Sequence, residues 1–342
     1  MRVTIRDIAL QAGVSVAAVS KVLNDYPDIG AETRQRVLRI VRELRYVPRA
    51  SAQRLVTGRS QTIGVYYKSM VNGLGLRQPF VAQLLNAVKE HMTLLGYDML
   101  LFGDSSSPHY QWELLDRAQH REIDGLMLLG TLEEDMSEIL KGELPIVGLD
   151  VITTGPRAGF VISDNEGGMV DAVHRAVAAG YQRIGLFYGP LELPAARDRA
   201  RGFYRGMRES GLPICNRWIV YGGFDFDSGT RAAGRLMEQS DLPEVILCTA
   251  DISAIGAMRT FQEAGLSIPK DVAIVGFDDI DAASYVYPSL TTVAQDTERI
   301  GQAVTDLLMR LMNSPVGSMR DSARRVHVPT TFVARQSTRN MV

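Results

Sequence analysis

The chain has 342 residues, of which 46% are hydrophobic and 22% are charged, and its formal net charge is −2. This length exceeds what a single hydrophobic core normally supports, so two or three domains are expected. Arg2, Arg6 and Asp7 lie where a signal peptide would be apolar, and no apolar run approaches the roughly 20 residues that span a bilayer. These features predict a soluble protein of the cytoplasm.

The two cysteines, Cys215 and Cys248, have neither CxxC nor zinc-ligand spacing. This usage is typical of a reducing compartment. The five histidines are scattered along the chain and form no HExxH pair. We therefore expect neither a bound metal nor a cofactor.

Charge is distributed unevenly along the chain. Residues 1–60 contain eleven lysine and arginine side chains and five acidic ones, which leaves a net charge of +6 there and −8 for the rest. A cationic head on an anionic body is expected when only the head contacts a polyanion.

The first elements in the chain are two short helices around a turn. Thr4 can cap the first helix, Gly13 suits a left-handed terminating residue, and Ser15 can cap the second. Apolar residues at helical spacing predict a third helix over about 31–44 that exposes its arginines. This order is that of a helix-turn-helix unit, in which the second helix enters the major groove of DNA. The predicted unit covers residues 1–48.

Residues 49–61 connect this head to the remainder. The stretch is compatible with a short helix that ends at Gly58. Isolated helices need roughly 12–15 residues to be even marginally stable in water, so such a linker can pass between helix and coil. It is therefore either a switchable hinge or a plain tether.

From Thr62 onward, short apolar runs alternate with segments of helical periodicity. The runs are TIGVYY, YDMLLFG, DGLMLLG, LPIVGLD, FVISD, RIGLFYG, WIVYGG, VILCTA and DVAIVGFDD. Strands separated by helices predict an α/β body with parallel sheets. Their number favours two doubly wound lobes: lobe 1 over about 62–159 and 293–320, and lobe 2 over about 160–290 and 321–340. A ligand is expected where strand carboxyl ends of the two lobes face each other.

The sequence resembles the lactose/galactose-repressor family of bacterial transcription regulators over essentially its whole length. The motifs that carry the resemblance are TIRDIALQAGVSVAAVSKVLND, YVPRASAQRL, VISDNEGG, RARGF, DVAIVGFDD and YPSLTTV. The resemblance implies a helix-turn-helix head, a hinge and a body that resembles periplasmic binding proteins.

The resemblance also implies the residues that contact DNA. Those on the second helix are Ser15, Val16, Ala17, Ser20 and Lys21. Val16 and Ala17 are suited to thymine methyl groups, Lys21 to the acceptors of guanine, and the two serines to phosphates. In the hinge, Leu55 matches the leucine that the family inserts into the minor groove, at a cost of a few kcal/mol for unstacking. Ala52 and Gln53 would face either the groove or the partner hinge.

The implied effector contacts lie in the body. Arg199 of RARGF and Asp278 of GFDD can share the hydroxyls of a polyol between a donor and an acceptor. Phe224 takes the place of an aromatic residue that stacks on a sugar or a base. Asp150 ends a strand at the lobe boundary and can accept a hydrogen bond from a hydroxyl.

Two further positions have alternative roles. Asp251 fits a family step in which Asn precedes Asp, but the Asn position is Ala250 here, which removes an amide from the pocket. Asp251 either contacts the ligand or interacts with the dipole of the helix that it begins. Phe80 either lines the opposite wall of the pocket or belongs to the core.

The resemblance implies a homodimeric repressor that binds a palindromic operator at the nucleoid and is switched by a small molecule. A sugar is the expected effector, and a purine corepressor is the alternative. The chain end lacks leucine heptads, so a tetramer is not expected. An exported sugar-binding protein does not account for the basic head. An enzyme is disfavoured because no GxGxxG follows the first strand and no GxxxxGK[ST] or GxSxG motif occurs.

Overall fold

The computed structural model describes residues 3–46, 58–68, 75–103, 113–130 and 137–341. The chain divides into two compact units, Met1–Gln61 and Thr62–Val342. Within the described ranges there are twelve α-helices and twelve β-strands. The α/β prediction is confirmed. The hinge residues Ala52, Gln53 and Leu55 lie outside the described ranges.

The first unit contains three helices, α1 (Ile5–Ala12), α2 (Val16–Leu23) and α3 (Ala31–Glu43). They share a small core in which Ile8, Val19 and Val37 are fully buried. The apolar positions of each helix recur at spacings of three and four, so each presents one stripe to the other two.

Local sequence sets the bounds of the first two helices. The backbone N–H and the hydroxyl of Thr4 both donate to the Asp7 carboxylate at 2.8 Å, which lowers the pKa of Asp7. Gly13 ends α1 with a φ of 64°, a left-handed conformation that costs other residues more than glycine. Ser15 begins α2 by accepting a hydrogen bond from the N–H of Ala18.

The second unit contains two six-stranded sheets. The strands of the first sheet are β1 (Thr62–Tyr67), β2 (Asp98–Phe102), β3 (Gly125–Leu129), β4 (Ile146–Leu149), β5 (Ala158–Ser163) and β11 (Arg325–Val328). Those of the second are β6 (Ile184–Tyr188), β7 (Ile219–Tyr221), β8 (Val245–Cys248), β9 (Ala273–Asp278), β10 (Thr291–Gln295) and β12 (Thr330–Val333).

Both sheets are parallel except at one edge. The spatial orders are β11-β5-β4-β3-β1-β2 and β12-β10-β9-β8-β6-β7, and only β12 runs antiparallel to its neighbour. The central strands are buried along almost their whole length, as expected for a parallel sheet covered on both faces.

Helices cover both sheets. In chain order they are α4 (Pro79–Leu94), α5 (Leu114–His120), α6 (Ser137–Leu140), α7 (Asn165–Ala178), α8 (Pro194–Glu209), α9 (Phe226–Met237), α10 (Asp251–Glu263), α11 (Asp281–Tyr285) and α12 (Thr297–Asn313). The helices pack in pairs, α4 with α12, α7 with α8, and α9 with α10.

The chain passes between the lobes three times, at Asp164, Asp296 and Pro329. Two of the crossings are hydrogen-bonded to each other, since the N–H of Asp164 donates to the Val328 carbonyl at 2.8 Å. Asp164 and Asp296 also cap the helices that follow them, by accepting from Gly167 and Arg299. The crossings are thus fixed to the elements on either side.

Strand pairing differs from the expected lobe boundaries in three places. β5 continues the first sheet to Ser163, all of β10 belongs to the second sheet, and β11 returns to the first. The expected boundaries placed 160–163 and 325–328 in lobe 2 and assigned 293–295 to lobe 1. The reason is that a short buried strand carries no sequence signal for the sheet that it joins, which tertiary pairing alone decides.

Candidate ligand cleft and nucleic-acid interface

A cavity of about 90 Å³ lies between the two lobes of the second unit. It is lined from lobe 1 by Tyr67, Lys68, Gln78, Phe80, Val81, Leu129, Gly130, Leu149, Asp150 and Val151, and from lobe 2 by Leu193, Pro194, Ala195, Arg199, Phe224 and Asp278. Five of the six predicted ligand residues therefore meet at one cleft. Phe80 is 8% exposed and also packs in the core, so both of its proposed locations apply.

An ion pair forms the lobe 2 wall. Arg199, on α8, donates from Nη1 to Asp278 Oδ1 at 3.0 Å and to the Thr249 carbonyl, and from Nε to Asn165 at 2.8 Å. Both partners of the ion pair are nearly fully buried. The guanidinium also lies 3.9 Å from the centre of the Phe277 ring. These contacts fix the guanidinium plane at the cleft.

A second carboxylate faces the cleft from lobe 1. Asp150 Oδ1 accepts from the backbone N–H of Ser163 at 3.1 Å and from the Asn165 amide at 3.4 Å. Its other oxygen, like Asp278 Oδ2 and Arg199 Nη2, has no hydrogen-bond partner within the described part of the chain. These three side chains therefore offer the cleft two acceptors and one donor, beside the Phe224 ring, whose centre is 5.7 Å from the guanidinium.

Burial disfavours charge on these acids. It raises the pKa of Asp150, against the lowering effect of Arg199. It raises the pKa of Asp278 to about 6, again opposed by Arg199 and by hydrogen bonds. Asp150 and Asp278 also hold left-handed φ angles of 50° and 123°. Such backbone conformations cost on the order of 1–3 kcal/mol each and concentrate at functional sites.

Asp251 does not line the cavity, which differs from the expectation that it could contact the ligand. Its carboxylate accepts from the Ile280 N–H at 2.9 Å and from the Thr292 hydroxyl at 2.5 Å, and it is fully buried. Burial, and then the neighbouring Asp278, raise the pKa of Asp251 to about 8. Asp251 therefore holds β10 and the residues that follow β9, the strand that ends at Asp278, and it is not part of the cleft surface.

Sequence reasoning missed two residues that orient the ion pair. Asn165 joins Asp150 of lobe 1 to Arg199 of lobe 2. Gln295 donates from Nε2 to Asp278 Oδ1 at 2.7 Å and ends β10 next to a crossing. The signal that could have indicated them is their position near a predicted lobe boundary, because Gln295 ends a strand and Asn165 follows one by two residues.

The predicted DNA-reading residues lie on α2 or cap it. Val16, Ala17 and Lys21 are exposed, whereas Val19 and Val22 on the opposite side are buried. Ser15 caps the helix, and Ser20 is half-buried, with its carbonyl accepting from the side chain of Asn24.

Acids of the first unit neutralise part of its basic surface. Lys21 forms an ion pair with Asp28, which lowers the pKa of Asp28, and Arg34 pairs with Asp25. Lys21 must exchange this partner to contact a base. Arg34 also donates to the Tyr26 carbonyl, so it holds the loop between α2 and α3.

Within the described ranges, no helix is long and apolar enough to cross a membrane. Nor does that part of the chain group three or more potential metal ligands. A helix-turn-helix unit joined to a two-lobed body with a ligand cleft defines a class of protein, the DNA-binding regulators that a small molecule switches.

Comparison with known proteins agrees with this class. Residues 4–49 match the family described as bacterial regulatory proteins, lacI family, and residues 173–338 match the periplasmic binding protein-like domain. The HTH-type transcriptional repressor PurR of Photobacterium profundum is 32% identical over 90% of this chain and 91% of its own length. Catabolite control protein A of Priestia megaterium is 32% identical over 99% of this chain and 100% of its own.

Solved structures of regulators are also similar to this chain. A Lac repressor dimer bound to operator and the anti-inducer ONPF has a TM-score of 0.84 at 28% identity, with 99% of both chains covered. A CelR–cellobiose complex has a TM-score of 0.72 at 26% identity, covering 98% of this chain and 100% of that one. The chain belongs to the lacI family of bacterial regulatory proteins. It is a DNA-binding transcriptional regulator, and its relatives are regulators, not enzymes.

Proposed function

We propose that this regulator is a dimeric repressor that binds a palindromic operator and is switched by a neutral sugar in the cleft. The observation that carries the sugar assignment is the pair of unshared carboxylate oxygens, on Asp150 and Asp278, beside the unshared Nη2 of Arg199. Hydroxyl groups both donate and accept, so a polyol satisfies all three atoms. Phe224 supplies a ring face for the apolar side of a sugar.

The formal charges of the cleft lining balance. Asp150 and Asp278 are its acids and Arg199 and Lys68 its bases, and Arg199 is already paired with Asp278. A sugar phosphate would bring its negative charge close to both carboxylates, at an energetic cost that a buried site enlarges. We therefore assign a neutral ligand.

The switch operates by linkage. Ligand binding favours one relative orientation of the lobes. Asn165, beside a crossing, forms hydrogen bonds with Asp150 of lobe 1 and Arg199 of lobe 2, so it links the cleft to both lobes. That orientation determines whether two hinges, and so two heads, hold the spacing of the operator half-sites. A coupling of about 1–3 kcal/mol changes operator affinity 5- to 150-fold, and the operator changes ligand affinity equally. Regulation of this kind places the protein at the nucleoid, in the cytoplasm.

The dimer surface that we propose is the outer edge of the first sheet. β2 is an edge strand. Leu101 on this strand is 48% exposed, and Leu76 is 45% exposed; both line a groove of about 570 Å³ that β2 forms with α4. An unpaired apolar strand edge is a common site of self-association. A second copy of the chain is the occupant that a palindromic operator requires.

Thermal-shift and calorimetric titration of the full-length chain against neutral sugars and purines tests the ligand class. We expect a mono- or disaccharide to raise the melting temperature of the wild type and of Asp306→Asn, an exposed control, but not that of Asp150→Asn. Stabilisation by purines alone would replace the sugar with the purine alternative.

Binding-site selection from random DNA tests the operator. We expect enriched fragments to be palindromic, with half-site centres about one helical turn apart or a multiple of that. Recovery of sequences without twofold symmetry would contradict the dimeric arrangement.

A further inference from the structure

A second cavity, of about 230 Å³, lies in lobe 1 away from the cleft. One wall is the loop after β4, at Thr153, Thr154 and Gly155. The other is a short 3₁₀ helix, Asp321–Arg324, and the start of β11 at Arg325. Its volume is below the roughly 300–1,000 Å³ of pockets for drug-sized ligands. It fits a small molecule.

Arginines surround this cavity without acidic partners. Arg324 donates to the carbonyls of Gly155 at 2.9 Å and Met319 at 2.7 Å, and its Nε is buried with no partner in the described structure. The Arg325 guanidinium lies 6.0 Å from the centre of the Phe160 ring. Neither arginine forms an ion pair with a carboxylate of the described residues.

A third arginine increases the positive charge of this region. Arg157, on the same loop, donates to the carbonyls of Ser314 at 2.7 Å and Glu143 at 3.3 Å, and its Nε is also buried and unpartnered within the described ranges. Asp321 is the one acid on the cavity wall. On the wall itself, two guanidinium groups stand against one carboxylate, which leaves an excess of positive charge beside an open space.

We propose that this cavity binds phosphate or a small phosphate monoester. Guanidinium groups match the oxygens of phosphate in pairs, and two of them line this cavity. The Arg325 side chain is the group free to turn onto the anion, because its guanidinium makes no hydrogen bond within the described structure. Asp321 on the rim repels a second acidic group, so one phosphate suits the site better than a polyanion.

One wall of the cavity continues to the ligand cleft. Asp150 and Val151, at the start of the same loop, line the cleft. Thr153 fixes that loop to the sheet, because its hydroxyl accepts from the Gly148 N–H at 3.3 Å and donates to the Gly159 carbonyl at 2.5 Å. The loop is also closely packed, since a Cβ on Gly155 would lie 2.2 Å from the Leu140 carbonyl oxygen.

The opposite wall leads to a lobe crossing. β11 begins at Arg325 and ends at Val328, whose carbonyl accepts from the Asp164 N–H. An anion bound between the two walls would contact both the loop that follows Asp150 and the start of β11, the strand that leads to the crossing at Pro329. The site therefore acts as a second effector site, a role that rests on the proposed function of the cleft and is reciprocal with it.

Calorimetric titration of the full-length chain tests the anion site without any knowledge of the sugar. The probes are inorganic phosphate and glycerol 3-phosphate, with sodium chloride holding ionic strength constant. We expect Arg325→Gln to weaken phosphate binding at least tenfold. Arg320→Gln, an exposed arginine in the same segment that does not line the cavity, should bind as the wild type does. Equal binding by the wild type and Arg325→Gln overturns the site.

The same titration separates the two sources of phosphate. Tighter binding of glycerol 3-phosphate supports a metabolite ester, and equal or tighter binding of inorganic phosphate supports the free ion. Heat that sodium chloride reproduces at equal ionic strength overturns a specific site.

Hydrogen exchange tests the link to the cleft. Phosphate should slow amide exchange at least threefold over residues 148–160 and 163–165 in the wild type and in Arg320→Gln, but not in Arg325→Gln. Phosphate binding with unchanged exchange in both segments would overturn the second-effector role while leaving the anion site. Neither result depends on whether the cleft binds a sugar.

Discussion

Arg199 and Asp278 form a buried ion pair, with Nη1 of the arginine 3.0 Å from Oδ1 of the aspartate. Each partner has a second support, Asn165 for the guanidinium and Gln295 for the carboxylate. Both supporting residues lie beside crossings between the lobes. The ion pair therefore connects the ligand cleft to the crossing segments between the lobes.

Removal of the guanidinium should destabilise the protein strongly. Arg199→Met leaves Asp278 buried without its counter-charge, and breaking such a pair costs about 3–5 kcal/mol. Urea unfolding, followed by tryptophan fluorescence, measures this change. Arg201→Met on the same helix is the control, because Arg201 is 61% exposed and its surface ion pairs contribute about 0–1 kcal/mol. Equal effects of the two substitutions would contradict the role of the buried pair.

Stability should fall as pH rises from about 4 to 8. The pKa values of Asp278 and Asp251 are raised by burial from 3.8 to about 6 and about 8. The folded state binds these protons more tightly than the unfolded state does. The stability that the two protonated groups contribute is therefore fully present below pH 4, and it is lost as the pH rises through their folded-state pKa values, about 6 and about 8. Each group contributes at most about 1.4 kcal/mol per pH unit to the slope of the unfolding free energy against pH.

Urea midpoints at pH 5, 6.5 and 8 measure that slope. Asp251→Asn should flatten it, because the amide keeps the shape of the side chain and cannot titrate. Asp306→Asn, at an exposed position, should leave it unchanged. A slope that persists in Asp251→Asn and in Asp278→Asn would show that other groups cause it.

Most of the fold was predictable from local pattern. All nine apolar runs correspond to strands, because buried parallel strands read as continuous apolar segments between helices. The lobe assignment of residues 160–163 and 325–328 was not predictable. Which sheet a strand joins depends on contacts distant in sequence, such as that of Arg325 with Phe160.

The cleft was predictable as far as the family motifs extend. Asp150, Arg199, Phe224 and Asp278 stand at the positions that the resemblance implies, and the structure brings them together. Asp251 carries the same kind of motif signal, but hydrogen bonds to Ile280 and Thr292 hold it within the protein. Sequence alone does not distinguish a carboxylate that faces a cavity from one that supports its wall.

Substitution of Lys21 should relax base preference at one position of each operator half-site. Lys21→Ala removes the only polar side chain among the predicted base contacts on α2, which corresponds to about 1–3 kcal/mol of discrimination. Binding-site selection measures the preference. Lys141→Ala serves as the control, because that lysine is an exposed residue of the body paired with Glu138. An unchanged selected sequence would show that Lys21 does not read a base.

Leu55, outside the described residues, can be tested directly. Leu55→Ala should lower operator affinity, because alanine is too small to hold a base step open and the wider contact with bent DNA is lost, and it should leave ligand affinity nearly intact. Fluorescence anisotropy with a selected operator and calorimetry with the ligand found by screening measure the two effects. A parallel loss of both affinities would instead indicate that Leu55 packs against the body.

The edge of the first sheet should hold the dimer together. Leu101→Glu places a charge on β2 at the groove shared with α4, and burying an unpaired carboxylate in an interface is strongly unfavourable. We expect light scattering at micromolar concentration to give a dimer for the wild type and a monomer for Leu101→Glu. Val316→Glu is the matched control, because Val316 is also 48% exposed but does not line the groove. A dimeric Leu101→Glu would place the interface elsewhere, and a tetrameric wild type would contradict the dimer itself.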